Sequence, residues 1–521
     1  MPTWAQKELQ GWGRVLRSTA EVARPERMAA IAGLLTEGAA SVLARGNGRS
    51  YGDAALNNGG QVILTSRLDR LLELDEVGNW VTVEAGATFG DLVRTLVPRG
   101  HLPAVVPGTG FATVGGGLAN DIHGKNHHCS GSIGQQLGWM ELRTPDGQLH
   151  RLMGDEDSEL LRATLGGVGL TGVIERARIR TERVPSNAVS LQCERMGNLD
   201  EFLARLREEQ DRTPYVVGWI DAMARGAQLG RGILELARPS DQGVTLAPQR
   251  NRRVPMDFPS FALNRWSVRL FNELYFRRIP AKGQTELLPY EKFLFPLDAI
   301  HDWNRIYGRR GFHQFQCVVP FESGAAALRL MLGLIADSGM GSFLAVLKTM
   351  GATGHGYLSF PRPGFTLALD FPNGPRVADL MARLESITCD HGGRTYLAKD
   401  STLMPANMRQ MYPQLDRFSE VLAQVDPLGR MASDLSRRLQ LRGAAITCRN
   451  TGWSSAPLQR LHAPAFANWP NKARTSRWWG ATSATSKPPP AMHGCVALKM
   501  RESCPAMSAI HTHGRSCWDR P

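Results

Sequence analysis

Short apolar runs alternating with glycine-rich turns characterise the first 185 residues of the chain. Alternating apolar and polar positions predict strands, and apolar positions spaced three and four apart predict helices. We therefore predict strands at 62–65, 80–84, 139–144 and 173–180, and helices at 89–99 and 158–164. The tripeptide Pro145-Asp146-Gly147 lies between two strand-like runs and predicts a hairpin. Strands, short helices and glycine-dense loops together are an α+β pattern.

Residues 186–392 contain longer helical segments than the region before them. The pattern predicts strands at 215–221, 315–320 and 366–371, and helices at 201–209, 324–336 and 377–384. The stretch 241–259, with three prolines, predicts a long loop. A third segment, 393–442, ends in a helix-compatible run at 427–441.

The distribution of charge argues against a nucleic-acid partner. The chain carries a formal charge of +13, but residues 443–521 hold ten Lys and Arg residues against two acidic residues, Glu502 and Asp519. This tail of +8 leaves about +5 for the first 442 residues, an ordinary balance for an enzyme. The tail has no helical or strand periodicity, so we predict that it is disordered or atypical.

No segment has the length and apolarity of a membrane span or a secretory signal. The best candidate, 325–336, is interrupted by Arg329, and the N-terminal residues lack an apolar core. We therefore expect a protein in the cytoplasm or peripheral at the inner membrane.

One string, Gly167-Val168-Gly169-Leu170-Thr171-Gly172, matches the glycine spacing of a Rossmann dinucleotide site. That motif requires a preceding strand and a following helix, so that the pyrophosphate lies at the helix N-terminus. Here a helical pattern precedes the glycines and a strand pattern follows them. The sequence therefore argues against a Rossmann site.

Two other glycine-rich loops, 44–53 and 107–125, are better candidates for a dinucleotide site. Consecutive small residues expose backbone N–H groups that form an anion-binding nest, and Arg45 or Arg49 adds a charge-assisted hydrogen bond. Either loop alone is read more simply as tight turns. The pair, in one α+β region, favours a dinucleotide.

The histidines His123, His127 and His128 raise the possibility of a metal site. Gly124 opposes the helix that would bring His123 and His127 to one face, and Asp121 is the only nearby carboxylate. We therefore predict no metal site, and we expect His123 to face a reactive centre in a loop that passes over a cofactor.

The two loops and several other motifs resemble the vanillyl-alcohol-oxidase-type flavoproteins, the PCMH-type FAD-binding oxidoreductases. These motifs are GNGRSYGD at 46–53, PGTGFATVGGGLANDIHGKNHH at 107–128, YLAKDS at 396–401 and VDPLGRMASDLSRRL at 425–439. The resemblance covers residues 11–442 and is strongest to members that act on lipid-linked ribose. It implies a two-part FAD-binding domain, 1–185 and 393–442, around an inserted α+β substrate domain with an antiparallel sheet, 186–392.

The resemblance also assigns site residues by position. The implied FAD-binding residues are Arg45, Gly46, Asn47, Gly48, Arg49, Ser50, Tyr51, Gly52, Gly108, Thr113, Val114, Gly115, Gly116, Asn120, Ile122, His123, Ile174 and Tyr396. The implied catalytic residues are Tyr51, His123 and Lys399, and the implied substrate-binding residues are Lys125, Gln314, Gln316 and Lys348. Many relatives hold FAD covalently through a histidine in the first loop; its absence here implies non-covalent FAD.

The implied reaction is oxidation of the ribose 2′-hydroxyl of a polyprenylphosphoryl-β-D-ribose to the 2′-keto form, the first half of a 2′-epimerisation in arabinose-donor synthesis for the cell wall. A short-chain NAD(P)H-dependent reductase is the implied partner for the second half. Lys399 is expected to stabilise negative charge on the reduced flavin, and His123 or Tyr51 to accept the hydroxyl proton. The alternative for Lys399 is a surface ion pair with Asp400.

The sequence is also compatible with two alternative functions. One is an aldono-1,4-lactone or alditol oxidase of the same family, and the other is a flavin-free sugar- or lipid-binding protein. A lipid-linked substrate is also favoured by the stretch 265–278, in which arginines are interleaved with aromatic and leucine residues. This composition suits peripheral contact with an anionic membrane, although an ordinary amphipathic helix has the same pattern.

Overall fold

The computed structural model describes residues 3–38, 40–246, 252–259 and 261–442. The described chain is a mixed α+β protein with extensive antiparallel sheet, which confirms the predicted class. The prediction for the tail, 443–521, lies outside the described residues. Among the described residues, no helix combines the length and apolarity needed to cross a membrane.

The first 185 residues form two sheets flanked by short helices. Their elements are β1 (Ala5–Gln10), β2 (Arg17–Ala23), α1 (Ala29–Thr36), β3 (Val42–Arg45), β4 (Gln61–Leu64), β5 (Leu71–Asp75), β6 (Trp80–Glu84), α2 (Phe89–Leu96), β7 (His101–Pro103), α3 (Val114–Ala119), α4 (His127–Ser130), β8 (Leu137–Arg143), β9 (Leu149–Met153), α5 (Glu159–Thr164) and β10 (Val173–Arg183). The first sheet has the order β1-β2-β4-β3, and the second the order β5-β6-β10-β8-β9, with β7 also pairing with β10.

The middle region contributes a large antiparallel sheet and the longest helices. Its elements are β11 (Ala188–Met196), α6 (Leu199–Glu209), β12 (Tyr215–Ile220), β13 (Gly232–Pro239), β14 (Arg252–Arg253), α7 (Arg265–Arg277), β15 (Gln284–Pro289), α8 (Tyr290–Leu294), β16 (Ile300–His301), β17 (Phe312–Val319), α9 (Phe321–Ser338), β18 (Ala345–Met350), β19 (Gly364–Pro372) and α10 (Val377–Asp390). The sheet order is β15-β11-β13-β12-β18-β19-β17, and β14 pairs in parallel with β16.

Residues 393–442 return to the first region. Their elements are β20 (Arg394–Thr395), α11 (Pro405–Met411), α12 (Leu415–Val425) and α13 (Asp434–Arg438). β20 completes the edge of the large sheet beside β17. Met431 forms a parallel bridge with Val42 and shares a buried apolar cluster with Ile63 and Val173. The segment therefore packs on the first region while contacting the middle one.

The large sheet has one apolar face and one polar face. The apolar face is buried with α6, α9 and α10 and includes Phe315, Cys317, Leu347, Leu367 and Leu369. In antiparallel strands, directly opposite residues share a face. The register pairs Gln314 with Asp370 and Lys348 with Thr366, so these polar side chains lie together on the other face. The period-two pattern of the strands thus separates core residues from site residues.

Most predicted elements are confirmed within a few residues, including the 145–147 hairpin between β8 and β9. The helix-compatible run at 427–441 is helical only in its second half. Its first half is a turn in which Gly429 has φ +65°, and the Asp426 carboxylate accepts hydrogen bonds from the amides of Arg430 and Met431. Helix formation resumes only at α13, which Ser433 caps. The preceding helix α12 was not predicted.

Candidate active site

A cavity of about 650 Å³ lies between the two glycine-rich loops and the polar face of the large sheet. Ligand pockets are typically of roughly 300–1,000 Å³. Nearly all predicted site residues line it, namely Arg45, Gly46, Asn47, Gly48, Arg49, Ser50, Tyr51, Gly108, Thr113, Gly115, Gly116, Asn120, Ile122, His123, Lys125, Ile174, Gln314, Gln316, Lys348, Tyr396 and Lys399. Gly52 and Val114 do not line it.

The two exceptions support the loops rather than the cavity. Val114 is fully buried in the core of the first region. A Cβ on Gly52 would lie 1.9 Å from the carbonyl oxygen of Asp400, so this glycine allows the loop to approach the segment that carries Lys399. Both positions were predicted from the motif alone, which does not distinguish lining residues from supporting ones.

The first loop presents backbone amides to the cavity. Arg45, one of the two candidates for a charge-assisted hydrogen bond, donates instead to the carbonyl oxygens of Ala55 at 2.6 Å and Gln10 at 2.9 Å, and so holds the loop in place. Asn47 donates to the carbonyl oxygen of Phe111 in the second loop at 3.0 Å. Within the described residues, the amides of residues 47–50 have no hydrogen-bond acceptor. Four consecutive amides without an acceptor are the groups from which an anion-binding nest is built.

The side chain of Arg49, in the same loop, places a positive charge at the wall of the cavity. Its guanidinium lies 4.1 Å from the ring centroid of Trp12 and 4.4 Å from that of Phe111. Burial lowers its pKa, an effect that Asp298 and Asp302 oppose. Within the described chain its Nε is buried without a hydrogen-bond partner. A negatively charged group in the cavity would supply one.

The second loop packs closely against the first. Thr113 caps α3 by accepting a hydrogen bond from the amide of Gly116. A Cβ on Gly46 would lie 2.3 Å from the hydroxyl oxygen of Thr113. A Cβ on Gly115 would lie 2.8 Å from the Cβ atom of Ala85. These glycines let the two loops and β6 approach to backbone distance.

Lys399 lies over the ring of Tyr51, with Nζ 4.0 Å from the ring centroid. Burial lowers the pKa of Lys399 to about 8, while the Asp370 carboxylate acts in the opposite direction. The alternative ion pair with Asp400 does not form, because Asp400 accepts hydrogen bonds from Arg438 and from the amides of Thr402 and Leu403. Lys399 is therefore a cavity cation.

Asp370 is a fully buried carboxyl group beneath this pair. It accepts hydrogen bonds from Gln314 Nε2 at 2.6 Å and from the Tyr307 hydroxyl at 3.1 Å. Burial raises its pKa to about 7, and Lys399 opposes that rise. Burial also raises the pKa of Tyr51, so the phenol stays protonated at neutral pH. Asp370 fixes the Gln314 amide group and leaves its oxygen free to accept other hydrogen bonds.

His123 lies between Lys348 and Gln316. Its Nδ1 is 2.8 Å from Lys348 Nζ, and its Nε2 is 3.1 Å from the Gln316 amide. Burial lowers the pKa of His123 well below its usual range, and the positive charge of Lys348 adds to this effect. A neutral imidazole has one donor and one acceptor nitrogen. The atom of Gln316 that faces His123 Nε2 is the amide nitrogen, so a protonated Nε2, with Nδ1 accepting from Lys348, requires the Gln316 amide to turn by 180° and present its oxygen.

Tyr396 closes the cavity behind His123. Its hydroxyl donates to the carbonyl oxygen of Asn120 at 3.0 Å, and its ring stacks on Phe360 with centroids 4.6 Å apart.

The other two histidines of the predicted cluster make separate contacts. His128 Nε2 contacts the carbonyl oxygen of Thr213, and His127 Nδ1 accepts a hydrogen bond from the amide of Gly351.

Several lining residues were missed by the sequence analysis. The Rossmann-like string contributes four of them: Val168, Gly169, Thr171 and Gly172. The string follows helix α5 and precedes strand β10, the order that argues against a Rossmann site. Its glycine density was a visible signal. Further missed lining residues come from the middle region: Trp219, Glu235, Tyr275, Arg278, Phe293 and Leu297.

Comparison with known proteins identifies the family. Residues 18–153 match the model of the FAD binding domain, and residues 365–439 match that of D-arabinono-1,4-lactone oxidase. The chain is 36% identical over 453 residues to decaprenylphosphoryl-β-D-ribose oxidase of Mycolicibacterium smegmatis, covering 84% of this chain and 98% of that protein. The chain belongs to the PCMH-type FAD-binding oxidoreductases.

Two further relatives are more distant. L-gulono-1,4-lactone dehydrogenase of Mycobacterium tuberculosis is 23% identical, with 84% of this chain and 99% of that protein covered. Cytokinin dehydrogenase 5 of Arabidopsis thaliana is 33% identical over 151 residues, 28% of this chain and 27% of that protein. The protein is therefore an FAD-dependent oxidoreductase, and the alternative of a flavin-free binding protein is set aside.

The residues of the cavity fit FAD. The amides of residues 47–50 and the unsatisfied Arg49 suit the negative charge of a pyrophosphate, and the glycine loops leave space for it. A Cβ on Gly108 would meet nothing within 4 Å, which places open cavity beside the second loop. Lys399, Tyr51, His123 and Tyr396 line the part of the cavity where the two loops meet the polar face of the sheet.

Proposed function

We propose that the protein oxidises a hydroxyl of a lipid-linked sugar, namely the ribose 2′-hydroxyl of a polyprenylphosphoryl-β-D-ribose, to a ketone. The observation that supports this proposal most directly is that the same cavity is lined by the polar face of the large sheet and by an apolar wall. The relative from Mycolicibacterium smegmatis, whose name states this class of substrate, matches over nearly its whole length.

Gln314 and Gln316 are suited to recognise sugar hydroxyls. They lie two residues apart on β17, so both face the cavity. Asp370 holds the Gln314 nitrogen, which leaves the Gln314 oxygen to accept a hydrogen bond from a hydroxyl. When His123 Nε2 carries the proton, the Gln316 amide turns over, so that its oxygen faces His123 and its nitrogen remains as a donor. The pair thus offers one acceptor and one donor.

Lys399 supplies positive charge at the reacting end of the cavity. FAD, when bound, supplies the hydride acceptor for alcohol oxidation. A preorganised ammonium group stabilises negative charge that develops beside it, and such electrostatic terms are commonly the largest in catalysis. The pKa of about 8 leaves Lys399 mostly protonated at neutral pH.

Lys348 is better placed than His123 or Tyr51 to accept the hydroxyl proton. Burial lowers the pKa of Lys348 to about 7, so much of it is a neutral amine near neutral pH. A neutral amine has two N–H groups and one lone pair. With the proton of His123 on Nε2, these two N–H groups donate to His123 Nδ1 and to the carbonyl oxygen of Gly124, 2.6 Å away, and the lone pair of the amine is left for the cavity. His123 has no free basic nitrogen, and Tyr51 is protonated.

The proposed FAD and substrate sites divide the chain into two domains. Residues 1–185 and 393–442 form a two-part FAD-binding domain, supported by the Val42–Met431 bridge, and residues 186–392 form the inserted substrate domain. In this proposal a short-chain NAD(P)H-dependent reductase returns the ketone to an alcohol with inverted configuration. The enzyme works in the cytoplasm or at the inner membrane, where its lipid-linked substrate is anchored.

The test is anaerobic flavin reduction, followed by the loss of oxidised-flavin absorbance, with a panel of polyprenylphosphoryl pentoses and aldono-1,4-lactones. The proposal predicts reduction by the ribose lipid, with a 2′-ketone as product. Faster reduction by a water-soluble lactone or alditol would establish instead the alternative that the match of residues 365–439 suggests.

A further inference from the structure

Part of the cavity lining takes no role in the proposed chemistry. Lys125, in the second loop, Glu235, on β13, and Arg278, directly after α7, line it together. Glu235 lies between the two cations, with Oε2 at 3.9 Å from Lys125 Nζ and Oε1 at 3.9 Å from Arg278 Nη2. Both separations exceed hydrogen-bond length, so Glu235 balances charge without saturating either cation.

We propose that Lys125 and Arg278 form a subsite for a phosphate group and that the apolar wall beside them takes an alkyl chain attached to that phosphate. The proposal rests on the proposed function, since it specifies which part of a lipid-linked substrate this end of the cavity recognises. The ligand class is a prenyl or alkyl phosphate.

The two cations keep hydrogen-bond donors available. Lys125 donates one N–H to the carbonyl oxygen of Phe293 at 2.7 Å, and its ammonium lies 4.1 Å from the Phe293 ring centroid. Arg278 donates one N–H to the Tyr275 hydroxyl at 2.8 Å and lies over the Tyr275 ring. The remaining N–H groups of an ammonium and a guanidinium match the oxygens of a phosphate.

The charge balance also favours an anion. Lys292 and Glu286 also line this part of the cavity, so three cations face two carboxylates and leave one net positive charge at its wall. The Lys125 side chain is only 15% exposed, and this burial lowers the pKa of its ammonium, an effect that Glu235 opposes. A phosphate would compensate this desolvation better than Glu235 does at 3.9 Å.

The adjoining wall is apolar. Its lining side chains come from β11, β12 and β15 of the large sheet and from α8 and the segment after it: Leu191, Val217, Trp219, Leu288, Phe293, Leu294 and Leu297. A phosphate subsite next to such a wall selects a phosphate ester of an apolar alcohol over a free sugar phosphate. It also separates the reacting hydroxyl, near Lys399, from the anchored end of the ligand.

Calorimetric titration of the FAD-loaded full chain tests the subsite without any turnover. The probe is geranyl monophosphate, compared with geraniol and with inorganic phosphate. We expect the monophosphate to bind more tightly than either fragment. Arg278→Gln should weaken its binding about tenfold, the loss expected for a partly exposed charge-assisted contact. Glu235→Gln should strengthen its binding several-fold, because it removes a negative charge beside the phosphate.

Arg277→Gln is the matched control, because Arg277 is adjacent in sequence, exposed, and paired with Glu273. Flavin absorbance per chain verifies that each variant is folded. Equal binding of geraniol and geranyl monophosphate, or equal losses in the Arg278 and Arg277 variants, would overturn the subsite. If Arg278-dependent binding is found but no polyprenylphosphoryl pentose reduces the flavin, the subsite stands and the proposed reaction fails.

Discussion

Arg438 Nη2 donates a hydrogen bond to Asp400 Oδ2 at 2.8 Å, and the same guanidinium makes a bidentate contact with Asp53. Asp53 ends the first glycine-rich loop, and Asp400 follows Lys399. Both carboxylates are buried, with 5% and 1% of their surface exposed. Arg438 therefore connects the loop that carries Tyr51 to the segment that carries Lys399.

Replacing Arg438 should destabilise the protein and release FAD. Arg438→Ala leaves two buried carboxylates without their cation, and such a break costs about 3–5 kcal/mol. The free energy of unfolding in urea and the flavin content per chain measure the effect. Arg409→Ala is the control, since the Arg409 side chain is 48% exposed and pairs with Asp416, only seven residues further along the chain. Equal losses of stability and of flavin in both variants would show that Arg438 has no bridging role.

This bridge shows what could not be predicted from sequence. The two-residue spacing of Gln314 and Gln316 suffices to predict one strand face, because strand periodicity is local. Asp370 appears in sequence as one acid in an apolar strand, and its contact with Gln314 depends on the register of β17 with β19. Arg438 is 385 positions from Asp53, and only the return of the chain onto the first region brings them together.

Lys399→Ala should retain FAD and lose most of its activity. The lysine lies over Tyr51 and makes no contact that the fold requires, whereas removal of one preorganised charge typically slows turnover about a hundredfold or more. The rate constant of anaerobic flavin reduction is the measurement, with the exposed Lys282→Ala as control. A rate near that of the wild type would exclude Lys399 from catalysis.

The rate of flavin reduction should follow a bell-shaped pH profile. The rate rises as Lys348 loses its proton at a pKa of about 7 and falls as Lys399 loses its proton at about 8. Lys348→Met should remove the acidic limb and slow the reaction by about 10²–10⁴-fold. Asp370→Asn should move the alkaline limb to lower pH, because the Asp370 carboxylate raises the pKa of Lys399.

An acidic limb that persists in Lys348→Met would assign the proton acceptor to another group. Asp370 itself, with a pKa raised to about 7, is the group to examine in that case. The Asp370→Asn variant distinguishes the two, since it would then remove the acidic limb in addition to shifting the alkaline one.

Acid precipitation of the purified protein should release all of its FAD into the supernatant. No histidine occurs in the first loop, 46–53, where many relatives attach the flavin. His123, the predicted site histidine, has both ring nitrogens in hydrogen bonds. Flavin absorbance that remains with the precipitate after washing would demonstrate a covalent link and contradict the prediction.

The last prediction concerns an exposed surface on α7, formed by Trp266, Leu270 and Leu274 with 64%, 63% and 63% of their surface exposed. Their spacing of four residues places them in one stripe along the helix. Arginines 265, 269, 277 and 278 accompany the stripe, against one acidic residue, Glu273. Because Arg278 and Tyr275 also line the cavity, the stripe adjoins the proposed lipid-binding wall. An apolar stripe with a basic margin suits the interface of an anionic membrane.

We expect the double variant Leu270→Asp, Leu274→Asp to lose most of its binding to phosphatidylglycerol vesicles in a flotation assay. The full chain serves for every measurement, so the +8 of residues 443–521 contributes equally to each variant and cancels in the comparison. Leu330→Asp is the control, because Leu330 is 54% exposed on α9 and away from the stripe. If both variants float like the wild type, α7 is an ordinary solvated helix and the lipid must reach the cavity from solution. If Leu330→Asp alone loses binding, the membrane contacts a different face of the molecule.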